Sequence, residues 1–451
     1  MHACLLSSSV VLVLLLTPIA ATFQPSGAPF RAPVTVAPGF SAQVLFSNLT
    51  LPRGIALDGD DNILVVERGL GVSVISPAAG GWDRTLVIAN PNFTQGIQLD
   101  ADTGTLYVST AAAVLAYQYD HASKSVGNST APCDVILGLP ADGDLTTHTL
   151  QLEKTPGGAA SLLVANGPLN NIDPTARDPA SGRSQIRRFA LSANPCRGSR
   201  PPKQWTDGRV VAYGIRNPAG FAVHPAHPRK LYVVENGASI DNVTGLTPAF
   251  VNDNPADEIN AVHLGRPAVS YGFPDCTTLW NPTADPAGDP QYTALARGAQ
   301  ISLMLTPERN HSWCASTQNN VPPVLSLQAH SVPLDIKFYA PPANSTAASF
   351  PASFAGDAVV SFHGSFNRNP PTGYGVVHAP FPFRGDAYEF LVQASNLTSC
   401  SGHCIRPVGL AFSSTGVLYV SSDTSGEVRI NFQAFSVCVL RICQLFSIQR
   451  S

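Results

Sequence analysis

The sequence predicts an all-β protein, specifically a six-bladed β-propeller, and three observations carry that reading. A short phrase returns six times: an apolar-alternating strand, a tight turn often of D-x-x-G type, and a second strand reading L-Y-V or close to it. The copies lie at spacings of roughly 40 to 115 residues with no helical stretch between them, the mark of sheets repeated around an axis. The 36 Gly and 39 Pro suit a chain built from turns, and 44% patterned hydrophobic content separates it from a disordered one.

The first copy, R-G-I-A-L-D-G-D-D-N-I-L-V-V, starts at Arg53, and the second, G-I-Q-L-D-A-D-T-G-T-L-Y-V, at Gly96. The third runs from Thr149 (T-L-Q-L, then G-G-A-A-S-L-L-V) and the fourth from Ala219 (A-G-F-A-V-H-P, then K-L-Y-V-V). The fifth begins at Leu334 (L-D-I-K-F-Y, then G-D-A-V-V-S-F) and the sixth, P-V-G-L-A-F-S-S-T-G-V-L-Y-V, at Pro407. Each pairs two period-2 strands across a turn and so reads as the inner hairpin of one sheet. Between the fourth and fifth copies lies a long insertion, 237–332, rich in Pro, Asn and Asp and containing D-N-P-A-D-E-I-N at 253–260. Long structured loops on such a scaffold wall pockets. Ligand selectivity is expected from insertion side chains such as Tyr271, Trp280 and Trp313.

The N-terminus reads as a secretory leader over residues 1–21. His2 lies in a short polar start, Val10–Leu16 form a compact apolar run, and Pro18-Ile19-Ala20-Ala21 supply small residues for cleavage. No later stretch is long and apolar enough to span a membrane, so a secreted, extracellular protein is expected. The propeller then occupies 22–433, and an apolar tail with Cys438 and Cys443 fills 434–451. Seven N-x-S/T sequons, at Asn48, Asn92, Asn128, Asn242, Asn310, Asn344 and Asn396, fit a glycoprotein. Of nine Cys, Cys4 leaves with the leader. Order alone pairs Cys133 with Cys196 and Cys276 with Cys314, and Cys400 with Cys404 can close a tight loop. A net charge of −3 with only 13% charged residues argues against nucleic acid as a partner.

Chemistry is expected where the loops converge. Y-G-I-R-N-P-A-G-F brings Arg216 and Asn217 to the start of the fourth copy; S-F-H-G-S-F-N-R-N-P-P-T-G-Y carries His363 and Arg368 away from the fifth. Arg53 and Arg406 lead into the first and sixth copies. Three guanidinium groups (Arg53, Arg216, Arg406) aimed at one funnel suit a ligand with several carboxylates, because the planar fork matches that group. His363 can accept a proton near neutral pH.

Taken together, R-G-I…L-V-V-E-R-G, G-I-R-N-P-A-G-F…L-Y-V-V-E-N-G, D-N-P-A-D-E-I-N, S-F-H-G-S-F-N-R and R-P-V-G-L-A-F…S-S-D-T-S-G-E-V resemble the fungal PQQ-dependent pyranose dehydrogenases, of the soluble glucose/sorbosone dehydrogenase-like family. The likeness runs in order from Val36 to Val428, and 170–187 is similar as well. It implies a quinoprotein that oxidises the anomeric hydroxyl of an aldose or related pyranose to a lactone, with PQQ and Ca2+ as cofactors. It also implies a monomer passing electrons to an external haem protein or quinone, here without the cytochrome module or carbohydrate-binding tail that some members carry. By resemblance, His363, Arg216 and Asn217 are catalytic. Arg53, Gln95, Asp144, His148, Arg216, Asn217, His363, Arg368 and Arg406 contact the cofactor, and carbonyls of Gly237, Ala238 and Ser239 hold calcium. Two positions depart from the pattern. Asp144 is followed by Leu145 where the bacterial soluble glucose dehydrogenase has a His base, and Gln95 stands where relatives have His. The base is then expected to be His363, with His148 as the substitute. Two other readings compete: a non-catalytic carbohydrate-binding propeller, and a calcium-dependent propeller lactonase.

Overall fold

The computed structural model describes residues 29–127, 132–154, 160–192, 195–196, 201–346, 348–385 and 387–429. The expected leader, the tail with Cys438 and Cys443, and Asn128 lie outside the described residues. The all-β propeller class expected from the sequence is what the structure has.

Every repeated phrase forms the first two strands of its own antiparallel sheet. The first sheet comprises Pro52–Leu57, Ile63–Glu67, Gly71–Ala78 and Gly81–Ala89. The second comprises Phe93–Asp100, Thr105–Thr110, Ala113–Asp120 and Cys133–Leu137, extended at its edge by Lys203–Gln204. The third comprises Leu150–Lys154, Ala160–Asn166, Gln185–Ala190 and Arg209–Tyr213. The fourth takes Pro218–His224, His227–Glu235, Asp257–His263 and Leu325–Leu327. Pro333–Phe338, Ala358–Phe362, Gly375–Ala379 and Glu389–Ala394 make the fifth. Pro407–Phe412, Leu418–Ser422 and Glu427–Arg429 belong to the sixth. The innermost strands touch in succession, except that the third sheet meets the fourth through Ala160–Asn166, and the sixth returns to the first.

Two short strands near the start of the described chain complete outer edges far along the sequence. Val34–Val36 pairs with Glu389–Ala394 of the fifth sheet, and Val44–Phe46 pairs with Glu427–Arg429 of the sixth. Both edges are thereby covered.

The second strands are buried over most of their length: Ile63–Glu67 has no exposed position, and His227–Glu235 is exposed only over its first four residues. Sheets stack on both of their faces, so runs such as L-V-V lose the in/out alternation of a half-exposed strand. Leu64, Val66 and Val72 of the first sheet pack fully buried against Leu106 and Val108 of the second. Near the axis the inner strands approach closely because the phrases carry glycine. A Cβ on Gly54 would lie 2.2 Å from the Gln95 carbonyl oxygen, and one on Gly96 would lie 2.2 Å from that of His148.

One expectation is corrected. The insertion does not separate the fourth and fifth sheets; it is threaded through the fourth. Residues 236–256 link its second and third strands, and 264–324 link the third to the outermost strand. The segment D-E-I-N-A-V-H pairs with His227–Glu235, so part of the supposed loop is sheet. The remainder carries a two-stranded ribbon, Cys276–Thr278 with Gln300–Ser302, tied by the disulfide Cys276–Cys314. Cys133–Cys196 and Cys400–Cys404 are also bonded, as expected from their order.

Candidate functional site

On the face where the loops gather, a cavity of about 540 Å³ is walled by Asp144 and Leu145 before the third sheet, Asn171 within it, and Arg216 leading to the fourth. The insertion adds Asn236–Ser239, Asp241, Pro255, Asp257, His330 and Val332, and the loop between the second and third strands of the fifth sheet adds Phe366 and Asn367. A cavity of this size, with convergent polar groups, is of the class that holds small molecules.

Arg216 organises one wall. Its Nε donates to the Asn171 carbonyl (2.8 Å), Nη1 to the carbonyls of Asn236 and Gly237 (3.1 Å each), and Nη2 to Asn171 Oδ1 (3.0 Å). Its backbone N–H donates to Glu235 Oε1 at 2.6 Å. Four of the five guanidinium N–H groups are thus committed, and one is left for a ligand. Burial lowers the guanidinium to about 10, with Glu235, Asp257 and Asp144 pulling the other way, so it stays cationic at neutral pH.

Beneath it lie carboxylates that the sequence reading missed. Asp257 accepts from the backbone N–H groups of Gly237 (2.9 Å) and Val332 (2.7 Å), and burial pushes it up to about 7. Glu235 and Glu258 share the Asn260 amide (2.7 and 3.1 Å); burial and their mutual repulsion push Glu235 well up. Asn217 donates to Asn236 Oδ1 at 2.7 Å and so braces the wall from behind.

A second group sits where the fifth, sixth and first sheets meet. His363 Nε2 lies 3.0 Å from both oxygens of Asp423. Asp423 also accepts from Arg53 Nη1 at 2.6 Å, and Arg53 Nη2 donates to Gln95 Oε1 at 2.5 Å. Gln95 in turn donates to the Ala219 carbonyl at 3.1 Å, crossing to the fourth sheet. Burial lowers the His363 imidazole; Asp423 raises it and Arg406 and Arg53 lower it further. Burial alone would raise Asp423, but His363 and Arg53 outweigh it and hold that carboxyl well below the usual range. The two groups join at Val332, whose carbonyl accepts from the His363 N–H at 2.9 Å and whose side lines the cavity.

The three arginines therefore do not converge on one funnel. Arg216 itself walls the cavity, whereas Arg53 and Arg406 flank His363, which lies behind the wall residue Val332. Arg406 donates to the carbonyls of His363 (3.1 Å) and Gly364 (2.7 Å) and so fixes the loop carrying the imidazole. Arg368 is tied to Asp253 of the insertion rather than lining the cavity. His148 is corrected outright as a cofactor contact or base: it is buried, with Nδ1 3.1 Å from the Ala165 carbonyl and Nε2 2.8 Å from that of Ala111. Both ring nitrogens face backbone carbonyls, to one of which the neutral imidazole donates its single N–H. His148→Ala should lower stability by about 2–4 kcal/mol through the lost packing and orphaned carbonyls. Turnover per folded molecule should stay unchanged, as paired melting and active-site-titrated rates would show.

Tyr271 and Trp280 are buried within the insertion, and neither they nor Trp313 wall the cavity. The Gly237–Ser239 segment does wall it, as expected. The Gly237 carbonyl accepts from Arg216 and that of Ser239 from the Asn171 amide (2.6 Å), each keeping a second lone pair. Among the described residues no cluster of three or more His, Cys, Asp or Glu could hold a metal ion by itself. Asp423 was missed because its partner is 60 residues away. The signal open to sequence reading was a carboxylate directly after a sixth-copy strand, S-S-D.

The family model described as TrAA12-like matches residues 34–431. The chain belongs to the TrAA12-like family. It is 32% identical to a protein named pyrroloquinoline quinone-dependent sugar dehydrogenase from Hypocrea jecorina, the alignment covering 89% of each. It is 33% identical to a pyrroloquinoline quinone-dependent pyranose dehydrogenase of Coprinopsis cinerea over 89% of this chain, but spans only 54% of that longer protein. Among solved structures it is similar to the holo form of the pyranose dehydrogenase PQQ domain from Coprinopsis cinerea. The TM-score is 0.76 and the identity 29%, covering 91% of this chain and 99% of that one.

Proposed function

We propose that the protein is a PQQ-dependent sugar dehydrogenase that oxidises the anomeric hydroxyl of an aldopyranose to the lactone. The observation that carries the reading is the cavity walled by cationic Arg216, in a chain about one third identical over most of its length to two such dehydrogenases. The donor set suits a polycarboxylate quinone: Arg216 keeps one free N–H, and Asn367 Oδ1 is buried in the wall without a partner among the described residues. Asp144 and the Gly237–Ser239 carbonyls would offer hard oxygen atoms to a calcium ion. The six sheets of four or more strands are read as six blades around one axis, with the cavity at one end of it.

Bound there, PQQ supplies the hydride acceptor. His363 holds Nε2–H toward Asp423, which leaves Nδ1 as the basic atom for the sugar's hydroxyl proton. Asp423 then stabilises the imidazolium that results. Arg216 sets positive charge where negative charge gathers on the acceptor. Export behind a cleaved leader and glycosylation belong to the same proposal. The asparagines of all six described sequons are exposed, and seven sequons follow the leader-like start.

The test adds PQQ, with and without Ca2+, to the apo-protein and follows quinone absorbance and melting temperature. At one hundred times Kd, binding should stabilise the fold by about 2.7 kcal/mol. Addition of an aldose should then bleach the quinone band. Stabilisation by Ca2+ alone with lactone hydrolysis would favour a lactonase, and sugar binding without PQQ binding would favour a carbohydrate-binding module.

A further inference from the structure

Phe366 is 80% exposed, and the next large apolar side chain, Met304, is at 54%. It is nonetheless not at a loose loop tip. Ser365, just before it, donates its backbone N–H to the Thr372 carbonyl (3.0 Å), accepts the Thr372 N–H on its hydroxyl (3.0 Å), and takes the Tyr374 hydroxyl on its carbonyl. Gly364 sits at φ 95° with the Tyr374 ring where a side chain would be, so the turn admits glycine only. Just after it, Asn367 donates to Ser239 Oγ at 3.3 Å and Arg368 pairs with Asp253. The backbone is clamped on both sides, and a phenyl ring is held into solvent at the wall of a cavity whose other lining side chains include the carboxylates of Asp144, Asp241 and Asp257 and the Asn171 amide beside smaller apolar groups such as Leu145 and Val332.

An exposed ring gains nothing for the fold; burying it would stabilise by about as much as any core phenylalanine does. Its face carries negative quadrupole density, which attracts partly positive hydrogens. A pyranose presents C–H groups on a ring face and hydroxyls at its edge. The ring face suits Phe366, and the edge suits the amides and carboxylates opposite. We propose that Phe366 is the stacking platform for the sugar ring, and that it selects cyclic aldopyranoses over small acyclic alcohols. The inference rests on the dehydrogenase reading, because it takes the substrate to be a sugar.

The test compares wild type, Phe366→Ala and Phe366→Trp, each loaded with PQQ and Ca2+. Binding of 1,5-anhydroglucitol, a pyranose without an anomeric hydroxyl and so unable to react, is followed by ligand-observed NMR. Affinity should fall about tenfold in Phe366→Ala and be restored in Phe366→Trp. KM for aldoses should rise by a similar factor, kcat should stay within about twofold, and the PQQ titration should be unchanged. Unaltered sugar affinity in Phe366→Ala, or no binding by wild type, would overturn the proposal. A parallel loss of PQQ affinity would overturn it too, placing the ring against the cofactor. Wild type that binds the anhydro sugar with these mutant effects but oxidises no aldose would leave the platform standing and remove the dehydrogenase reading.

Discussion

Arg216→Lys, which keeps the charge, is expected to abolish PQQ-dependent turnover and to lower the melting temperature together. The ammonium cannot reach Asn171, Asn236 and Gly237 at once in the geometry of the planar fork. At least two buried carbonyls lose a charged donor, each worth about 1.5–3 kcal/mol. The carboxylates of Glu235 and Asp257 also lose the delocalised cation that now offsets them. Because those carbonyls belong to the segment that walls the cavity, the wall should loosen and PQQ affinity should drop with stability. Thermal unfolding and a quinone absorbance titration on the same preparation measure both. Retention of wild-type turnover would show that Arg216 only anchors a loop.

The second large effect concerns the pair formed across the fifth and sixth sheets. His363→Ala should bind PQQ nearly normally and lose hydride transfer by about 10²–10⁴-fold. Asp423→Asn should slow turnover by about tenfold or more, and it should also move the pH profile. In the wild type, rate should fall as pH drops through the depressed His363 value, so the acidic limb lies below about 6.5. Asp423 raises that value, so its removal should shift the limb to lower pH still. Stability has the same sign: the unfolded chain binds the His363 proton more readily, so stability rises with pH up to about 6.5. Asp423 adds stability that is complete above about pH 3.9 and is lost as pH falls toward its lowered value. An unmoved acidic limb in Asp423→Asn would show that His363 is not the titrating base.

Much of the fold was legible because each inner hairpin is local. Turn residues and period-2 apolar strands lie within a dozen or so residues of one another, so the six phrases located twelve strands. What escaped was non-local. Leu325–Leu327 is three residues long and becomes a strand only against Asp257–His263, so it looked like part of an insertion. Val44–Phe46 likewise needs Glu427–Arg429 to be a strand at all. At the site, Arg216 was legible from its place beside a phrase, Gly237–Ser239 and Asp144 only through the family resemblance, and the structure puts all of them on the cavity. His148 was misread because a histidine near an inner strand looks the same whether its ring meets a ligand or two buried carbonyls. Asp423 and Asp257 were missed because their partners are brought together only by closing sheets that are distant in sequence.

The pairing of the chain's start with its last strands has a consequence during synthesis. The ribosome delivers Val34–Val36 and Val44–Phe46 early, yet their neighbours at 389–394 and 427–429 emerge only near the end. Such long-range pairing is slow, because a large loop must close before any contact rewards it. Until then two sheet edges stay open to any strand nearby. A chain cut short before Glu427 leaves Val44–Phe46 without its neighbour, so this early segment becomes a strand only once the sixth sheet has been made.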